Sequence, residues 1–324
     1  MNCRAAHKFV FEDSMLDDAF PSSKIDANSN GAESISPHAA LPVSAGPFTT
    51  GSSEPQSGQI IGIWRLGQPL SVNDDPNRAA RLFRAQPADS EGSPRYDYVL
   101  KTVATGLTTS QADAEQIGAS IAVANVSHPN LVAILDASAT GATPFIVMPH
   151  LAAMTLEERI ATTNAISVPV ALWFARQVAQ ATVALHEAGQ IHGDIKPRNV
   201  LIDDCGHTTL IDLGFSARIH SPLRGLFRGT PDYAAPELVE GTTAALPAMD
   251  IYAIGRVLWQ LLAHAQPTDA ASLSAIADLI EATLDPTPTN RPDATSLVAS
   301  LLQLEIETLG DHIRPLSNAQ HRAA

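Results

Sequence analysis

The sequence predicts an α+β protein in which a small β-rich lobe is followed by a larger helical lobe. Two observations carry this. Short β-compatible runs with a single helix among them fill the ordered chain to about residue 148, whereas apolar residues recur at spacings of three and four through most of the remaining chain. A chain of 324 residues has room for two packed lobes and tails, at roughly 100 to 200 residues per domain.

Residues 1–58 are rich in Ser, Pro, Gly, Ala and Asn and poor in large apolar residues. Such a composition buries too little surface to offset its ordering entropy, so a disordered N-terminal tail is expected. The small lobe, 59–148, then reads as "IIGIWRL", "ARLFRAQ", "YDYVLKTV", a helical "ADAEQIGASIAVANV", "LVAILDAS" and "PFIVMPH". The larger lobe, 149–307, contains helical "TLEERIATT", "PVALWFARQVAQATVALHEAG", "MDIYAIGRVLWQLLAHA", "LSAIADLIEATL" and "DATSLVASLLQLEIE". Residues 308–324 lose the periodicity and read as a C-terminal tail.

Lys and Arg total 20 against 34 Asp and Glu, a formal charge of -14. That balance repels nucleic-acid phosphates and acidic lipid head groups, so neither nucleic acid nor membrane is expected as a partner. Cys3 and Cys205 are too few for a disulfide framework or a zinc site, which fits a reducing compartment. The opening residues lack a signal-like apolar run, and "IYAIGRVLWQLLAHA" is interrupted by Arg256 and Gln260, so a cytoplasmic protein is expected.

Chemistry concentrates in "IHGDIKPRNVLIDDCGHTTLIDLGFSAR", residues 191–218. "NVLI" and "TTLI" flank a turn-rich "DDCGH", which reads as an antiparallel hairpin. Asn199 opens the first run and Asp212 closes the second, so both oxygens arrive at one end. Two hard oxygen ligands with room for water and phosphate suit Mg2+; the plain alternative is a turn capped by Asn and Asp. Asp194 and Lys196 precede the hairpin and have no part in forming it. A carboxylate there can accept a hydroxyl proton, and an ammonium can hold a transferring phosphoryl group.

"HGDIKPRN" followed by "DLG" resembles the catalytic loop and metal motif of protein kinases of the bacterial serine/threonine type. "YVLK", "SHPNLV", "GTPDYAAPE", "DIYAIG" and "DPTPTNRP" resemble further motifs of that family, in the right order over residues 60–306. The resemblance implies a bilobal kinase-like fold over 59–307 and an enzyme using ATP and Mg2+ to phosphorylate a protein serine or threonine. It implies Asp194 as the base and Lys196 as a γ-phosphate contact, with Asn199 and Asp212 as metal ligands. Lys101 would hold the α- and β-phosphates, Val99 would lie above adenine, Met148 would be the gatekeeper and Leu151 would offer backbone groups to adenine. Glu237 with Arg291 would brace the activation segment, and Asp250 would hold the catalytic loop. Thr230 would join Lys196 beside the base, favouring serine or threonine over tyrosine, and Gly193 replaces an arginine that binds loop phosphates in many kinases.

Three departures accompany the resemblance. The glycine-rich loop keeps Gly67 but has Pro69 and Ala80 where glycines are usual, with Asp74 and Asp75 inserted between. The glutamate that should pair with Lys101 is displaced: Ala119 stands at its place and Glu115 lies one turn earlier. The span from Asp250 to Arg291 is short for a substrate-docking helix. Two other readings therefore stand beside the kinase: a kinase-shaped binding or scaffold protein, and a small-molecule phosphotransferase. The N-terminal tail is a candidate site for a regulatory partner.

Overall fold

The computed structural model describes residues 55–70, 80–90, 92–103, 111–139, 143–162, 166–223, 230–241, 244–265 and 270–313. Residues 1–54 of the tail expected over 1–58, the insertion with Asp74 and Asp75, and the last eleven residues lie outside these, whereas residues 55–58 are described, with Gly58 N–H donating to Leu66 O at 2.8 Å.

The small lobe is one antiparallel sheet. It contains β1 (Ile60–Ile61), β2 (Trp64–Pro69), β3 (Ala80–Pro87), β4 (Tyr98–Val103), β5 (Asp136–Ser138) and β6 (Phe145–Pro149), in the spatial order β1-β2-β3-β4-β6-β5. Alternation along β4 sends Tyr98 and Leu100 into a core with Trp64, Leu66, Phe83, Phe145 and Val147. Val99, Lys101 and Val103 take the other face, where Val103 packs on Ile117 of α1 (Gln111–Ala122). The sheet curls until its ends meet: the Trp64 indole donates to Asp136 Oδ2 at 2.7 Å, joining β2 to the opposite edge strand.

"LVAILDAS" departs from expectation, because only Asp136–Ser138 is strand. Leu131 instead forms a parallel bridge with Leu210, and Val132 N–H donates to Leu210 O at 2.9 Å. The run's hydrogen-bonding partner is a strand of the large lobe, so its extended residues tie the two lobes together.

The large lobe begins with β7 (Met154–Thr155), α2 (Leu156–Thr162) and α3 (Val168–Glu187). Thr155 and Glu158 exchange hydrogen bonds at 3.1 and 2.8 Å, a reciprocal cap for α2. Helix α3 is the centre of the core. It packs against α5 (Pro247–Ala263) and α7 (Ala294–Ile313), burying Leu172, Phe174, Val178 and Leu185. Each such side chain contributes about 1.5–3 kcal/mol by leaving water. Arg176 of α3 and Glu305 of α7 add a two-bond ion pair at 2.6 and 3.2 Å. The short strands β8 (Gln190–Ile191), β9 (Val200–Ile202), β10 (Thr208–Leu210) and β11 (Ala217–Arg218), with α4 (Pro236–Val239), carry the motif-bearing loops between α3 and α5, and α6 (Ala270–Thr283) follows.

Helix α7 continues to Ile313, six residues beyond the boundary expected at 307. Thr308 returns its hydroxyl to Leu304 O at 2.8 Å within this extension. Among the described residues no helix is long and apolar enough to cross a membrane.

Candidate active site

Strands β9 and β10 pair antiparallel, with Leu210 opposite Val200. The turn between them closes on Asp203, whose Oδ1 accepts from Cys205 N and His207 N at 2.8 and 2.9 Å. Ile211 N–H donates to Asn199 O at 2.8 Å, so the hairpin does bring Asn199 and Asp212 to one end.

Asp194 is 6 % exposed and collects three side-chain donors. Asn199 Nδ2 and Lys196 Nζ lie 3.0 and 2.7 Å from Oδ2, and Thr230 Oγ1 lies 3.2 Å from Oδ1. Lys196 also donates to Thr230 at 2.6 Å, completing a lysine–threonine–carboxylate triangle. A cleft beside it is lined by Gly193, Thr230, Tyr233, Leu238 and Met249.

The loop is suspended from Asp250 of α5. Its Oδ1 accepts from Gly193 N at 2.9 Å, and its Oδ2 accepts from His192 N at 2.8 Å and lies 2.9 Å from His186 Nε2. Burial alone raises this carboxyl's pKa, but the His186 bond and the nearby imidazoles and Gly193 N–H outweigh it, leaving a net lowering. His186 was not singled out from sequence. A buried aspartate needs donors, and a histidine at the end of the preceding helix was the available signal. Gly193 has φ +81°. A Cβ there would lie 2.5 Å from Phe215 O, so the position is closed to a side chain.

On the small lobe, Val99 and Lys101 share the face from which Lys101 reaches Asp212, with Val99 opposite Met148 in the β4–β6 register. Met148 is half-buried and packs on the cores of both lobes. Leu151 follows two residues after β6, beyond His150, whose N–H is already taken by Asp97 O at 2.8 Å. The His150 ring titrates below its ordinary range, first through burial and then through the Arg84 charge, against the opposing pull of Asp97.

One sequence expectation is corrected here. Lys101, 6 % exposed, is bonded not to Glu115 but to Asp212 Oδ1 at 2.6 Å; Glu115 lies on the exposed side of α1. The α1 residue turned to the "DLG" turn is Gln116, whose Cβ and Oε1 lie 3.2 and 3.3 Å from where a Gly214 side chain would start. Gly67 lies inside β2, and the space a side chain would fill is held by the Tyr96 ring, at 2.6 Å from a built Cβ. Its lack of a side chain admits Tyr96; the loop at 71–79 lies outside the described residues.

The remaining anchors form as expected. Arg291 Nη1 and Nη2 grip Glu237 Oε1 and Oε2 at 2.7 and 2.8 Å, with Arg291 Nη1 also on Ala248 O at 2.9 Å. The arginine side chain is fully buried, and its guanidinium lies 5.0 Å from the Tyr252 ring centre.

The site also suits a metal–nucleotide pair. Asn199 commits its amide nitrogen to Asp194 O and Oδ2 at 2.8 and 3.0 Å, which leaves its amide oxygen as a hard ligand beside Asp212. Asp212 has φ +65°, a backbone turn that aims its carboxylate back at Lys101. Lysine from a curled sheet, two oxygen ligands at a hairpin end and a loop carboxylate braced by lysine and threonine define a two-lobed phosphoryl-transfer fold.

The comparisons agree with that class. The protein kinase domain family matches residues 93–307, more than half of the chain, and the chain belongs to the protein kinase family. It is 34% identical over 166 residues to the serine/threonine-protein kinase PknK of Mycobacterium tuberculosis, covering 50% of this chain and 15% of that protein. It is 33% identical over 156 residues to PrkC of Bacillus subtilis, covering 47% and 24%, and 35% identical over 157 residues to PkaB of Streptomyces coelicolor, covering 45% and 37%. The matched segment thus spans less than half the length of these relatives.

Proposed function

We propose that this chain is an ATP-dependent serine/threonine protein kinase that transfers a γ-phosphoryl group to a protein hydroxyl. The observation that carries the reading is the Asp194–Lys196–Thr230 triangle. It holds a buried carboxylate beside a small cleft, with a cation 2.7 Å from it. Names of the relatives, all serine/threonine-protein kinases, point the same way.

Asp194 would orient the acceptor hydroxyl and take its proton as the new oxygen–phosphorus bond forms and the bond from the γ-phosphorus to the β–γ bridging oxygen breaks, releasing ADP. Lys196 balances the charge on the moving phosphoryl group, and Thr230 fixes the lysine in place. Asn199 and Asp212 would hold Mg2+, Lys101 the α- and β-phosphates, and Val99, Met148 and Leu151 the adenine. When bound, ATP would supply the phosphoryl group and Mg2+ would neutralise the charge on its oxygens. Transfer of labelled phosphate from Mg2+-ATP to a degenerate serine/threonine peptide library, beside an Asp194→Asn control, tests this. Equal incorporation by both proteins, or incorporation into tyrosine alone, overturns it.

A second reading, a kinase-shaped binding protein, is favoured by one observation: Lys101 is engaged by Asp212 and not by a glutamate of α1. The same assay separates the two.

A further inference from the structure

We propose that Arg198 reads a carboxylate close to the accepting hydroxyl, so that the protein substrate is selected for acidic residues flanking its serine or threonine; this rests on the kinase reading above. Arg198 lies in the turn Pro197–Asn199 between the base and the metal ligands. Its neighbour Asn199 touches Asp194 at 3.0 Å, and consecutive Cα atoms are about 3.8 Å apart. An arginine there reaches substrate residues within about three positions of the acceptor, at roughly 3.4 Å per extended residue.

The side chain is held in a way that serves recognition better than stability. Nε lies 2.8 Å from each carboxylate oxygen of Glu157 on α2. The pair is 52% and 44% exposed, a setting in which an ion pair adds little to folding. Neither Nη1 nor Nη2 has an acceptor among the described residues, so Glu157 fixes the orientation while the terminal fork is left to meet another carboxylate. Two parallel N–H donors match a carboxylate's two oxygens, which a lysine cannot do.

Helix α2, which carries Glu157 in its first turn, packs on the turn Pro197–Asn199, so the ion pair stands at the surface directly beside the catalytic loop.

Charge argues in both directions and range decides. The chain's -14 charge, with Asp232 on the platform, repels an acidic peptide. Beyond a Debye length of about 8 Å that repulsion is screened, whereas a fork contact is not. Glu157, the nearest carboxylate, is already neutralised by Arg198 itself. The expected selectivity is modest, about fivefold, as befits an exposed charge-assisted contact.

The test uses one serine peptide with Asp, Asn or Lys placed in turn at each of three positions on either side. Both kcat/KM and binding by fluorescence anisotropy are read. In the full chain Asp should exceed Asn and Lys by about fivefold at one or more positions, in both readouts. Arg198→Ala should remove the preference, Arg198→Lys should keep part of it, and Arg198→Glu should favour Lys. A wild-type preference for Lys, no preference, or an Asp preference that survives Arg198→Ala overturns the proposal. Binding preference without any turnover would uphold Arg198's role and defeat the kinase reading; turnover without preference would do the reverse.

Discussion

Lys101 Nζ lies 2.6 Å from Asp212 Oδ1, joining β4 of the small lobe to the segment that follows β10 in the large one. Lys101 comes from a sheet and Asp212 from the end of a hairpin, 111 residues apart, and both side chains are largely shielded from water. Under the proposed function one carboxylate would thus hold the phosphate-binding lysine and also stand beside Asn199 as a cation ligand. Asp194, the proposed base, takes no part in this pair and is held by a separate set of donors.

Separate jobs predict separable losses. Asp194→Asn and Asp212→Asn should each abolish phosphoryl transfer, because orientation and charge clamping are both needed. Only Asp212→Asn should greatly weaken Mg2+-dependent nucleotide binding by calorimetry. Equal loss of nucleotide binding in both variants would mean that the two carboxylates act as one site.

The exposed position of Glu115 gives the second prediction. An exposed ion pair is worth about 0–1 kcal/mol, so Glu115→Ala should change turnover by less than about fivefold. A larger fall in kcat, with the thermal midpoint unchanged, would show that α1 moves to bring Glu115 to Lys101 during the reaction.

Much of the site was legible because it is local. The hairpin, its Asn199–Asp212 end and the Asp194–Lys196 loop lie within a span of nineteen residues, where turn chemistry and strand alternation fix geometry. The lobes were legible for the same reason, as periodicity changes from two to near four along the chain. What escaped depends on contacts between distant segments. Tyr96 over Gly67, Gln116 over Gly214, and the attachment of Leu131 to Leu210 are tertiary choices that no local pattern records. The partner of Lys101 was misread because family spacing places a glutamate on α1, while the rotation of α1 turns Gln116 inward.

Gly193 makes a backbone prediction. Its φ of +81° and the 2.5 Å approach of Phe215 O to a built Cβ leave no room for a side chain. Gly193→Ala should lower stability by about 1–3 kcal/mol and reduce turnover by disturbing the N–H that Asp250 holds. Gly193→Arg should be at least as harmful and should not create dependence on loop phosphorylation. Denaturant midpoints and phosphatase-treated samples check both halves, and a stable, phosphate-dependent Gly193→Arg protein would contradict the geometry.

The Glu237–Arg291 fork should behave as a buried pair. Arg291→Ala leaves Glu237 without its cation in a water-poor site and should cost about 3–5 kcal/mol by urea unfolding. The double replacement Glu237→Gln with Arg291→Met should cost less than the sum of the single changes, because no charge is stranded. Additivity within about 0.5 kcal/mol would show that the two side chains act independently.

Asp250 sets the acid side of stability. Its folded pKa is lowered from 3.8 by His186 and the loop N–H donors despite the opposing effect of burial. The native state therefore holds this proton less tightly than the unfolded chain. Its contribution to stability is fully present above the unfolded value of 3.8 and is lost as pH falls through the lower folded value. The stability difference between wild type and Asp250→Asn should accordingly stay constant from about pH 7 to pH 5 and shrink only below about pH 4. Chemical denaturation of both proteins across that range gives the comparison. A gap that closes between pH 7 and pH 5 would mean that protonation of another group controls the hold of Asp250 on His192 and Gly193.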